Sequence, residues 1–130
     1  MTHTALLKIA EEARKKAYTP YSNFSVGAAL LCDDGEVFEG CNIENASYTP
    51  TCCAERVAVF SAVAAGKRSF SAIAVSGGKT GEDGDICYPC GVCRQVLAEF
   101  SDGSLEVVLG NGTEVTVTTI GELLPKAFKL

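Results

Sequence analysis

Histidine is nearly missing from this sequence: the single one, His3, lies at an end of the chain prone to fraying. Its scarcity excludes a Ser/His or Cys/His dyad and any multi-histidine metal site in the body of one subunit. Concentrated positive charge is also lacking. The net charge is -5, and no basic cluster is longer than Arg14-Lys15-Lys16 or Lys67-Arg68, so a surface that tracks phosphates has no electrostatic basis and nucleic acid is not an expected partner. No apolar run approaches membrane-spanning length, and the stretch from Met1 to Lys16 has no apolar core followed by a small-residue cleavage site. The expectation is a soluble, cytoplasmic protein without membrane association, in which the sequons at Asn45 and Asn111 are accidental.

Cysteine, in contrast, is abundant. Seven are present, and in a reducing compartment thiols serve more often as metal ligands than as disulfides. The 130 residues, 47% of them hydrophobic, are enough for one compact core. A single domain, residues 1–130, is therefore expected.

Apolar residues at Leu6, Ala10, Ala13 and Ala17 recur at helical spacing up to Tyr18-Thr19-Pro20. Phe24 to Cys32 reads as a strand, Asp33-Asp34-Gly35 as a turn and Glu36 to Gly40 as its hairpin partner. After a polar loop from Asn42 to Thr51, Cys53 to Ala65 reads as a helix with Val57, Phe60 and Ala64 along one stripe. A buried strand at Ala72 to Ser76 leads through a Gly-rich loop to a helix from Cys90 to Phe100, with Val92, Val96, Leu97 and Phe100 as its apolar positions. Strands at Leu105–Leu109 and Glu114–Thr118, joined by a turn at Asn111-Gly112, precede a short Leu-rich end. This order, α-β-β-α-β-α-β-β-α, places helical crossovers between buried strands. The expected fold is α/β: a three-layer α/β/α sandwich around a mixed sheet of about five strands.

The chemistry concentrates in Cys53-Ala54-Glu55 at one helix start and Pro89-Cys90-Gly91-Val92-Cys93 at another. Three thiolates leave one tetrahedral position open, which is what a catalytic zinc needs in order to bind water. Cys53 and Cys90 sit where the helix dipole favours thiolate, and Pro89 tolerates the same place because its missing N–H would be unpaired there. Cys90 and Cys93, at i and i+3, face one point in a first helical turn. Glu55 is rotated roughly 200° from Cys53 on a regular helix, so the two can address one spot only from the helix end. In that position Glu55 is a general acid/base beside the metal-bound water. Three thiolates leave a zinc centre at -1, so Arg56 and Arg94, each next to a site residue, are candidates to donate to the sulfurs.

Other readings compete for the same residues. Cys87-Tyr88-Pro89-Cys90 is itself C-x-x-C, and Cys52 adjoins Cys53, so a thioredoxin-like dithiol and a closed four-cysteine structural zinc site are the competing readings. Neither uses Glu55. Ser76-Gly77-Gly78-Lys79-Thr80 looks like half of a phosphate loop, but position 73 is Ile73 where the first glycine belongs, and Glu82-Asp83-Gly84-Asp85 breaks any following helix.

The segments Tyr21–Leu30, Gly40–Tyr48, Cys53–Arg56, Pro89–Val96 and Glu122–Phe128 together resemble the small zinc-dependent cytidine deaminases over nearly the whole chain. The resemblance implies Zn²⁺, one per subunit, on Cys53, Cys90 and Cys93, with Glu55 carrying protons while an activated hydroxide attacks C4 of cytosine and ammonia leaves. It further implies that Asn42 and Glu44 bind the ribose hydroxyls, Phe24 lines the base pocket, Tyr48 shapes the loop and the backbone at Ala54 reads the pyrimidine edge. Arg56 would support the sulfurs. Phe128 would enter a neighbouring subunit's site, since small members of the family resemble homotetramers with shared active sites. The implied reaction converts cytidine and deoxycytidine to uridine and deoxyuridine, as in pyrimidine salvage. Alternatives are deamination of another free cytosine compound, such as an aminonucleoside antibiotic, or a zinc-binding module without catalysis. Departures from the usual family pattern are Tyr88 before Pro89 and the added thiols of Cys52 and Cys87.

Overall fold

A computed structural model describes residues 1–111 and 113–130. The elements follow the expected order: α1 (His3–Ala13) with a 3₁₀ turn (Arg14–Lys16), β1 (Phe24–Cys32), β2 (Val37–Cys41), α2 (Ala54–Ala64), β3 (Phe70–Lys79), α3 (Gly91–Glu99), β4 (Glu106–Gly110), β5 (Val115–Thr119) and α4 (Ile120–Leu123). The expected turn at Asn111-Gly112 falls on residue 112, outside the described residues. The five strands form one mixed sheet ordered β2-β1-β3-β4-β5. Among these five strands β3 and β4 are the pair that runs parallel, and the α3 crossover between them supplies the connection that parallel neighbours require.

Strand periodicity assigns the two faces. Ala28, Leu30, Ile73, Val75, Val107 and Leu109 point to one side and form the larger core with α2 and α3. Ala29, Ala72, Ala74 and Val108 point to the other and meet Leu6, Leu7 and Ala10 of α1. Because both faces are covered, the central strands read as nearly continuous apolar runs.

Three sequence expectations shift. Helix α1 gives way to the 3₁₀ turn at Arg14, so Ala17, expected on its stripe, is already in extended backbone. On α2 the buried apolar residues are Ala54, Ala58, Val59 and Ala62, not the stripe of Val57, Phe60 and Ala64, and Phe60 is 50% exposed. The cause is close approach: a Cβ on Gly40 would stand 2.2 Å from the Ala54 carbonyl oxygen and 2.6 Å from the Ala58 nitrogen. At that separation alanine is the side chain that fits between helix and sheet. On α3, Val92 is exposed instead of core-facing, while Leu97 and Ala98 carry the buried stripe.

Candidate metal centre

Helices α2 and α3 begin beyond the carboxyl ends of β2 and β3, the edge at which open α/β sheets present ligand sites. Cys53 is the N-cap of α2 (φ -69°, ψ 153°) and Cys90 the N-cap of α3 (φ -69°, ψ 170°). Both cap residues lie in extended backbone, and neither side chain is spent on a capping hydrogen bond. Cys93 is one turn into α3 and fully buried.

The three sulfurs lie within 4.8 Å of one another. Cys53 Sγ is 3.9 Å from Cys90 Sγ, and Cys90 Sγ is 3.5 Å from Cys93 Sγ. Tetrahedral zinc with bonds of about 2.3 Å sets neighbouring sulfurs about 3.8 Å apart, so the donor set fits that ion in both chemistry and spacing. Among the described residues, this is the one group of three or more Cys, His, Asp or Glu side chains gathered closely enough to hold a metal.

The Arg56 guanidinium donates from Nη2 to Cys53 Sγ at 3.4 Å. The Cys53 thiol is held down to about 5, most strongly by hydrogen bonding from Cys93 and then by Arg56, against the opposing effect of burial. Arg94, the second candidate to donate to the sulfurs, turns away. Its Nε donates to the Pro89 carbonyl at 2.8 Å and its Nη1 to the Leu123 carbonyl at 2.9 Å, which ties the start of α3 to α4.

Glu55 is in the first turn of α2 and only 4% exposed. Burial pushes its carboxyl up to about 7, and the Cys53 sulfur adds to the rise. A carboxyl poised near neutrality can both take and give a proton. Cys87 is not one of the three clustered sulfurs. Burial raises its thiol to about 11, and it packs against Gly77, where an added Cβ would stand 2.8 Å from its Sγ and 3.2 Å from Phe24. Ala54, beside Glu55, is fully buried at the helix start.

The remaining candidates are held as follows. Asn42 is wired to β1: Oδ1 accepts from the Val26 amide at 2.8 Å and Nδ2 donates to the Phe24 carbonyl at 2.9 Å. Glu44 accepts from the Tyr21 and Ser22 amides at 2.9 and 3.1 Å and from the Ser22 hydroxyl. These bonds, the hydroxyl's first, keep its carboxyl below the usual range. Tyr21 and Ser22, which sequence reasoning assigned no role, thus orient Glu44. Tyr48 has φ 61°, unusual for a bulky residue, and meets the Tyr21 ring edge-on with centroids 6.3 Å apart. A cavity of about 280 Å³ opens between Tyr21, Glu44 and Tyr48. Phe24 is 43% and Phe128 67% exposed; the Phe128 carbonyl accepts from Gln95 Nε2 of α3 at 3.5 Å. A larger cleft of about 600 Å³ lies by Asp33, Phe100 and Lys129 at the other end of α3, away from the sulfurs.

Residues 1–110 match the family described as the cytidine and deoxycytidylate deaminase zinc-binding region. A cytidine deaminase of Sporosarcina psychrophila is 51% identical over 124 residues, spanning 95% of this chain and 88% of the relative. A crystal structure of the Burkholderia pseudomallei cytidine deaminase superposes with a TM-score of 0.89 at 57% identity, covering 98% of this chain and 100% of the other. The Mycobacterium tuberculosis cytidine deaminase structure gives a TM-score of 0.83 at 38% identity, with coverage of 100% and 99%. With three sulfurs at zinc spacing and a fold shared along its length with these proteins, the chain belongs to the cytidine and deoxycytidylate deaminase zinc-binding family.

Proposed function

We propose that this chain is a zinc-dependent hydrolytic deaminase that converts cytidine and deoxycytidine to uridine and deoxyuridine with release of ammonia, and that residues 1–130 act as one catalytic domain. The observation that carries this reading is the convergence of Cys53, Cys90 and Cys93 on one point beside the buried carboxyl of Glu55. Zinc held by the three cysteines supplies Lewis-acid activation of a water molecule as the nucleophile. Glu55 does the proton work: it takes up one proton as water adds to C4 and delivers it to N3 of the cytosine ring, then takes up the second proton, from the hydroxyl now on C4, and passes it to the amine as the C4–N bond breaks. Its elevated pKa suits a group that must reload within each turnover.

The protein holds the nucleoside through groups that are already oriented. Asn42 and Glu44 keep hydrogen-bonding capacity beyond their backbone bonds, since a carboxylate offers about four lone-pair sites and an amide nitrogen two protons. They hold the ribose hydroxyls, and the charge of Glu44 repels a 5′-phosphate. Phe24 stacks along the base, Tyr48 shapes the loop over the sugar, and the backbone at Ala54 reads the pyrimidine edge. Arg56 offsets the negative charge of the thiolates. The substrate is thus a free nucleoside in the cytoplasm, and the place of the reaction is pyrimidine salvage.

The working unit is a homotetramer with shared active sites. Phe60, Tyr88, Val92 and Phe128 are each at least half exposed in the isolated chain, and Val92 stands next to a metal ligand. Phe128 of one subunit then closes the site of its neighbour.

The test incubates purified protein with cytidine, deoxycytidine, cytosine and dCMP and follows ammonia release with and without a zinc chelator. Release from the two nucleosides alone, abolished by chelation, is expected. Glu55→Ala should retain zinc and lose turnover by about 10²–10⁴-fold; unchanged turnover in that variant would overturn the proton-carrier role. Release from cytosine or dCMP in preference to the nucleosides would overturn the substrate assignment.

A further inference from the structure

The phosphate-loop look-alike Ser76-Gly77-Gly78-Lys79 ends β3 and faces an ion pair, buried Arg14 with part-buried Glu11, that the reaction above does not use. Arg14, at the end of α1, is 6% exposed. All five of its N–H donors have an acceptor. Nε donates to the Ser25 carbonyl at 3.0 Å; Nη1 donates to Glu11 Oε2 at 3.4 Å and to the Glu82 carbonyl at 3.1 Å; Nη2 donates to Ser25 Oγ and to the Lys79 carbonyl, both at 3.3 Å. Glu11 uses its other oxygen to accept from the fully buried Ser76 hydroxyl at 2.5 Å.

Glycines make the room. A Cβ at Gly84 would fall 2.1 Å from Ser76 Oγ, 2.4 Å from Glu11 Oε1 and 2.8 Å from Arg14 Nη1, and one at Gly27 would fall 2.0 Å from the Ala10 carbonyl oxygen. The loop after β3 is thus folded down onto the pair and held by its own backbone.

What this reaches is decided by the sheet. β1 and β3 pair with Ser25 opposite Gly78 and Phe24 opposite Lys79. Ser25 and Ser76 turn toward α1, whereas Gly77 faces the other side, where Cys87 and Phe24 pack on it. The bonded carbonyl of Ser25 directly follows Phe24, and the bonded loop at Lys79 and Glu82 runs on through Asp85, which pairs with Gly77, to Cys87, Pro89 and Cys90.

We propose that Arg14, braced by Glu11, is a positioning residue that acts through the sheet: it fixes the Phe24 wall of the base pocket and the segment delivering Cys90 to the metal. This rests on the zinc-deaminase reading above. A buried guanidinium with every donor satisfied holds one geometry, because a shift would leave its charge in the interior without partners.

The test uses the full-length zinc-loaded protein as wild type, Arg14→Met, Arg14→Lys, Glu11→Gln and Leu6→Ala, the last as a stability control on the same helix but outside the network. For each, the rate of zinc release to a chromogenic chelator is measured well below its melting temperature, alongside kcat and KM for cytidine. Arg14→Met should release zinc about tenfold faster and lose kcat by about tenfold. Arg14→Lys, whose three donors cannot serve acceptors on both sides, should recover part of both. Leu6→Ala should melt earlier with wild-type zinc release and kcat. If Arg14→Met does not fold, Arg14→Lys and Glu11→Gln should each speed zinc release about threefold, within the range of such supporting contacts.

Wild-type zinc release in the folded network variants, or equal acceleration in Leu6→Ala, would overturn the proposal. A wild-type chain that holds zinc but does not turn over cytidine would overturn the substrate reading instead, while the ratio of release rates still decides the role of Arg14. A wild-type chain that holds no zinc overturns the reading beneath both.

Discussion

Glu55 and Cys53 are two residues apart, an offset that would point them away from each other in mid-helix. They act on one another because Cys53 is the cap: its extended backbone takes it off the helical screw, and its sulfur's charge reaches the buried Glu55 carboxyl of the first turn. Arg56 also sits in that turn, with Nη2 on the Cys53 sulfur and a buried Nε that has no partner among the described residues. Its guanidinium is therefore committed to sulfur. Arg56→Ala should weaken zinc binding about 10–100-fold, measured by competition with a chelator of known affinity. Arg94→Ala, which removes bonds to the Pro89 and Leu123 carbonyls and none to sulfur, should weaken it far less.

Among the elements, α2 matters most, since it carries Cys53, Glu55 and Arg56 at one end and lies against β2. The contact at Gly40 sets how deep it lies. Gly40→Ala would force a methyl group into the Ala54 carbonyl and lift the first turn of α2 from the sheet. The expected loss is about 3 kcal/mol of stability by denaturant melt, the upper end of ordinary overpacking because the obstacle is backbone. As Ala54 and Glu55 move together, kcat should fall with it. Small residues on the α2 face toward the sheet explain why its buried stripe was misread from sequence: the large residues Val57 and Phe60 mark the outer side. Helix α3 repeats the pattern at Val92.

At the scale of the whole molecule, an outer side of this kind is apolar surface that one chain leaves in water. Phe60 is 50%, Val92 58% and Phe128 67% exposed; single exposed apolar residues are ordinary, and the proposed tetramer would cover these three together. Sedimentation equilibrium should report four chains per particle. Phe60→Asp should shift it toward smaller species, and Phe128→Ala should raise KM for cytidine with the assembly intact; a fully active monomer would reject the shared site. Among the described residues no helix is long and apolar enough to cross a membrane.

Sequence alone determined what depends on spacing along the chain. Element order, the mixed sheet, the helix starts at Cys53 and Cys90 and the choice of three sulfurs were legible because caps, turns and strand periodicity are local signals. The buried faces of α2 and α3, the turning away of Arg94 and the bracing of Glu44 by Tyr21 and Ser22 were not. Each is set by how closely segments distant in sequence approach one another. Arg14 shows the difference most plainly: in the chain it is one of three consecutive basic residues, and only the sheet and the loop after β3, folded over α1, bury it and supply four of its five acceptors, Glu11 of α1 giving the fifth.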